Sequence, residues 1–196
     1  MAGGKKIWKT LLKILGGVLT LLLLVLCAAS LILAKPQEKT DTPADQPPLS
    51  ASPAIEIQQE SDLFQLISAF PAPVMSFMSG SGKTFVSAVS ADTAVSGGFG
   101  RIATLYWQTA DGIPMILQSI YPAGALNLLE TGYHFSVESG PMLFGSPSVR
   151  MEKNDTVRLH TTTDQGLYVI TLPRSADAQI PSLSRSLQLF TVQSDD

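Results

Sequence analysis

Thr84-Phe-Val-Ser-Ala-Val-Ser-Ala-Asp-Thr-Ala-Val-Ser96, Arg101-Ile-Ala-Thr-Leu-Tyr-Trp-Gln108 and Ile113-Pro-Met-Ile-Leu-Gln-Ser-Ile-Tyr121 are three β-rich runs separated by Gly97-Gly98 and Asp111-Gly112. Gly-Gly and Asp-Gly between such runs are hairpin signals, because the turns that match strand twist need a positive φ. The three runs therefore predict an antiparallel meander. Ile102, Leu105, Tyr106 and Trp107 place apolar groups on both faces of the middle run, which marks a central strand covered on both sides.

The pattern continues outward from this meander. Further strands are predicted around Tyr133–Val137, Ser148–Glu152, Thr156–Thr162 and Gly166–Leu172, with turns at Asn154-Asp155 and Asp164-Gln-Gly166. Leu63, Phe64, Leu66, Ile67 and Phe70 follow Ser61-Asp62 at helical spacing and stop at Pro71 and Pro73. Pro122–Glu130 reads as a short helix with proline in its first turn. Ile180, Leu183, Leu187 and Phe190 predict a closing helix over 176–190. Strands in a run with a few helices between them define an α+β class: an antiparallel sheet of meander hairpins with short helices on one face.

Before this domain, Ile14 to Ala34 is a 21-residue run without a charge. About 20 such residues at ~1.5 Å each cross a hydrocarbon core of ~30 Å, so the run predicts a transmembrane signal-anchor helix. Lys5, Lys6, Lys9 and Lys13 precede it, whereas Lys35 and Lys39 beyond it are mixed with Glu38, Asp41 and Asp45. The positive-inside bias places the N-terminus in the cytoplasm and the C-terminal domain outside the cell membrane. Ala28-Ala29-Ser30 offers small residues for signal cleavage, but Leu31–Ala34 extends the apolar run past that site. The organisation read from sequence is a basic tail (1–13), the span (14–34), a Pro-rich flexible linker (35–57) and an extracytoplasmic domain (58–193). Five prolines and few large apolar residues in the linker cannot build a core.

Gly166-Leu-Tyr-Val-Ile-Thr-Leu172, a polar gap and Ile180-Pro-Ser-Leu-Ser-Arg-Ser-Leu187 resemble the end of an exported domain of unknown function. In bacteria that domain follows a single membrane span, in some cases within anti-sigma-factor-like or sporulation-linked proteins. The resemblance implies the same topology and fold for 60–192, and no particular activity.

Composition narrows the chemistry. Twelve acids from Glu60 onward outnumber seven bases, which argues against a nucleic-acid binder. Cys27 is the only cysteine and lies within the apolar run, so the domain has neither disulfide nor thiol chemistry. Ser79-Gly-Ser-Gly-Lys-Thr84 lacks the first glycine of a phosphate loop, since position 77 is phenylalanine. His134 and His160 have no second ligand at metal spacing, and no nucleophile elbow or carboxylate pair is present. No catalytic residue, metal or cofactor is predicted.

Two surfaces remain as candidates. A three-residue loop, Lys153-Asn154-Asp155, would pair Met151 with Val157 and Val149 with Leu159. It would gather Arg150, Arg158 and His160, with Ser148 and Glu152, on the opposite face, either as a solvated face neutralised by Glu152 or as a candidate anion site. A two-residue loop would mix the faces. Met142, Leu143 and Phe144, between glycine and proline punctuation, form a candidate partner contact if exposed. The function that follows is a membrane-anchored, non-catalytic binding or sensing module for a protein partner or small ligand. The alternatives are a carrier for a lipid or other apolar ligand gripped against Val74–Met78, and a cell-envelope hydrolase using His134 or His160.

Overall fold

The structure is a computed structural model that describes residues 50–95 and 98–192. The tail, the span at 14–34 and most of the linker lie outside the described residues. No helix among the described residues is long and apolar enough to cross a membrane.

Alternation along the strands dictates two differently covered sheet faces. Twelve strands are seen among the described residues: β1 (Ile55–Ile57), β2 (Val74–Phe77), β3 (Lys83–Val95), β4 (Gly98–Thr109), β5 (Pro114–Tyr121), β6 (His134–Phe135), β7 (Met142–Leu143), β8 (Ser146–Pro147), β9 (Val149–Lys153), β10 (Thr156–Thr162), β11 (Leu167–Pro173) and β12 (Leu187–Phe190). Eight of them form one sheet in the order β1-β3-β4-β5-β11-β10-β9-β6, with every pairing antiparallel. The predicted meander is its β3-β4-β5 part, and the class is α+β.

The inner face carries Ile57, Ala88, Leu105, Leu117, Ile170 and Leu159 in one row across six strands, and Trp107, Met115, Leu172 and Val157 in the next. Three elements cover it: α1 (Leu63–Ala69) through Leu63 and Leu66, α2 (Ile180–Ser186) through Ile180 and Leu183, and the β2-β12 ribbon. Trp107 meets Phe77 and Phe85 edge-on, both at 5.4 Å between ring centres. The ribbon is fixed to the sheet by the Met75 N–H, which donates to Ser119 Oγ at 2.8 Å in the interior. The Val74–Phe77 segment is therefore core, and the carrier geometry predicted against it is filled by protein.

Four expectations are corrected. The linker does not run to residue 57: Ile55–Ile57 is an edge strand, and the Ser52 N–H already bonds Asp92 Oδ2 at 2.5 Å. Pro122–Glu130 is not a helix but a loop with one 3-10 turn at Leu126–Leu128, whose Ala125 and Leu129 pack inward beneath the chain. The closing helix stops at Ser186. Ser182, Ser184 and Ser186 bond back to the carbonyls three residues earlier, a competition that weakens helices. The alternating Leu187-Gln-Leu-Phe190 then pairs with β2. Finally, β9 and β10 are joined by the two-residue turn Asn154-Asp155, with Asn154 at φ 52. Met151 thus faces Arg158 and Val149 faces His160.

The reason for this last register lies on the inner face. An unbroken apolar face was never required, because the inner face at this end of the sheet is buried as a charged network. Arg150 takes Asp177 in a fork, with Nη1–Oδ1 at 2.5 Å and Nη2–Oδ2 at 3.0 Å, and also binds Glu152. Glu152 accepts in addition from Ser136 Oγ at 3.0 Å and from Arg174. The Asp177 carboxylate foremost holds the Arg150 guanidinium above its ordinary value, and the Ser136 hydroxyl foremost holds Glu152 below its own.

Candidate functional site

The outer face has a second, smaller cluster built from Ile120, Ala125, Leu129, Leu167 and Val169. The 122–133 loop packs on the β5-β11 part of this face through Ala125 and Leu129 and touches β10 at Arg158 through Glu130 and Tyr133, leaving an opening beside that contact. The opening is a cleft of about 710 Å³, within the ~300–1,000 Å³ of small-ligand sites. Its floor follows from the pairing of β9, β10 and β11. Met151 and Arg158 form one row, Val149 and His160 the next, and Thr162 and Leu167 the last, with Thr171 and Val169 continuing the first two rows onto β11 outside the cleft. Leu126, Leu129, Phe135, Ser146 and Pro147 also line it. Phe135 is 75% exposed and Leu126 58%, with Val149 also exposed; these three apolar side chains converge on one cavity.

Arg158 is the charge in this floor. Its side chain is 5% exposed. The guanidinium lies 3.7 Å from the Tyr133 ring centre, a cation–π stack. Nε donates to Thr171 Oγ1 at 3.2 Å, Nη1 to the Glu130 carbonyl at 2.9 Å, and Nη2 to Glu130 Oε2 at 3.5 Å. Burial pulls the guanidinium below its ordinary value. Lys153 also binds the Glu130 carboxylate, and that contact foremost holds Glu130 below the usual carboxylate range. Beside Arg158, burial and then the neighbouring positive charge lower His160 to about 4, so its imidazole is neutral. His160 Nε2 is buried and has no hydrogen-bond partner in the structure.

The structure separates the predicted anion trio. Arg158 and His160 share the cleft floor, while Arg150 is on the other face inside its own carboxylate network. It also separates the predicted partner contact. Met142 is 62% exposed, Leu143 is 1% exposed and belongs to the main core, and Phe144 packs edge-on against Tyr168 at 5.6 Å. Strand alternation sends Met142 and Leu143 to opposite sides of the β7-β8 hairpin, so three consecutive apolar residues cannot form one surface. His134 is exposed on the edge strand β6 opposite Glu152. Among the described residues neither histidine is hydrogen-bonded to a hydroxyl or carboxylate in the manner of a base beside a nucleophile. Among the described residues no group of three His, Cys, Asp or Glu side chains could hold a metal.

Leu126, Leu129, Tyr133, Phe135 and Leu167 carry no site signal in the sequence, where the loop bearing the first two reads as a helix. The usable signal was the two-residue register at Asn154-Asp155, which places Val149 and Met151 beside Arg158 and His160. Chemically, the arrangement offers an apolar slot with one buried cation and one neutral imidazole. Comparison with protein-family models, with curated proteins and with solved structures finds no match to this chain.

Proposed function

We propose that this chain is a single-pass, membrane-anchored binding or sensing module, non-catalytic, whose extracytoplasmic α+β domain binds its ligand in the outer-face cleft. The observation that carries it is the convergence of Phe135, Leu126 and Val149, all exposed, on one cavity floored by a buried arginine. Exposed apolar side chains gathered in a concave site contribute little to the fold and mark a contact surface. The uncharged run 14–34 supports the anchor and the lysines before it support the orientation. A carrier of an apolar ligand is the second reading, favoured by the same cleft in place of the buried Val74–Phe77 segment.

Native mass spectrometry of the purified protein tests this. Wild type is expected to retain a small-molecule mass that disappears on denaturation, and Val149→Asp is expected to lose it. Because Val149 is exposed, that substitution should leave stability within about 0.5 kcal/mol. Bare chain mass in wild type, or loss of folding in Val149→Asp, would contradict the assignment.

A further inference from the structure

We propose that the cleft takes an amphipathic anion, an aliphatic carboxylate, with its head group at the Arg158–Tyr133 corner, which Lys153 adjoins through Tyr133 and Glu130, and its chain along the floor toward Thr162. This rests on the cleft being the binding site. Charge does not cancel at that corner. Arg158 and Lys153 are two cations, and the one carboxylate bonded to either among the described residues is Glu130. Glu130 is itself 59% exposed and reaches Arg158 only at 3.5 Å. A guanidinium carries five N–H donors, and Arg158 directs three hydrogen bonds to protein acceptors. Donors are thus left for an incoming anion where burial makes a charge-assisted bond strong.

The remainder of the floor excludes other chemistries. From Arg158 to Thr162 the strand spans about 13 Å at ~3.3 Å per residue, past Val149, His160 and Leu167. A cationic ligand meets two like charges, and an uncharged one leaves the two cations sharing the single Glu130 carboxylate. Beneath the floor β10 is already paired on both edges by β9 and β11, so an extended peptide finds no backbone to join. A chain without amides matches a floor that presents side chains alone.

Photo-crosslinking of the full-length protein in lipid nanodiscs tests the class, with diazirine-bearing dodecanoic acid and dodecanol as probes. Both are expected to label cleft residues. Unlabelled dodecanoate should compete about tenfold better than dodecanol, as one charge-assisted bond provides. Arg158→Gln should abolish that preference. Glu130→Gln, a surface change that removes the competing carboxylate, should enlarge it. Cleft labelling with equal competition by acid and alcohol would overturn the anionic class and leave the site standing. An unchanged preference in Glu130→Gln would also overturn the class. Absence of cleft labelling by either probe would overturn the class and the site together.

Discussion

Replacing Asp92 by alanine is expected to destabilise the domain by about 3–5 kcal/mol, the cost of leaving a buried cation without its partner. Arg101 crosses from β4 to take Asp92 in a fork, with Nε–Oδ1 at 2.6 Å and Nη2–Oδ2 at 3.2 Å, and both side chains are buried. The remaining Nη1 donates to the Ala69 carbonyl at the end of α1, at 2.9 Å. Asp92 also accepts the Ser52 N–H, so this pair joins the entering chain, the sheet and the covering helix. Urea unfolding followed by Trp107 fluorescence in a Trp8→Phe background measures the loss. The double variant Asp92→Ala/Arg101→Leu should recover much of it, because no charge is then stranded. The Arg101 hydrogen bond foremost holds the Asp92 carboxyl below its ordinary value. Its contribution is therefore full above about pH 4 and is lost as pH falls through the folded value.

His160 gives the second large effect, in a different pH window. Its unfolded value is 6.5 and its folded value about 4. Below pH 6.5 the unfolded chain binds the proton first, so stability falls steadily as the pH drops toward 4. At about 1.4 kcal/mol per unit, the loss is on the order of 2 kcal/mol by pH 5 and 3 kcal/mol by pH 4. The groups facing the ring are Arg158 on its own strand, Val149 and Val169 on the neighbouring strands, and the Leu129–Glu130 segment across the cleft. None of these supplies an acid bonded to the ring that would favour the imidazolium. Asp92, Glu130 and Glu152 are held below their ordinary values, so their contributions decline only below about pH 4–5. The slope between pH 6.5 and 5 should therefore flatten in His160→Leu. An equal slope in that variant would contradict the assignment.

The meander was legible because Asp111-Gly112 and the Gly97-Gly98 pair punctuate long alternating runs, and β3, β4 and β5 fall within a few residues of the expected bounds. The elements that were misread are those in which local pattern and tertiary packing disagree. Leu187 and Phe190 fit a helical period, yet Leu187-Gln-Leu-Phe190 also alternates, and pairing with β2 selects the strand. In the 122–130 loop, Ala125 and Leu129 turn inward around a 3-10 turn instead of forming one helical face. The site was hidden by the register at Asn154-Asp155. Segregating apolar from charged residues is sound where one face meets water, but here a carboxylate network covers Arg150 and Tyr133 covers Arg158. Neither cover is visible from β9 and β10 alone, since Asp177 and Tyr133 come from distant segments.

Methionine methyl NMR of the full-length protein in nanodiscs tests the central claim, that ligand binds in the outer-face cleft. Met151 lines the cleft, Met75 and Met115 lie in the inner core, and Met142 is on the separate hairpin. On titration with dodecanoate or dodecanol, the Met151 resonance should shift while Met75 and Met115 stay fixed. Shifts at Met75 and Met115 with Met151 unmoved would place the ligand on the other face of the sheet and contradict the account.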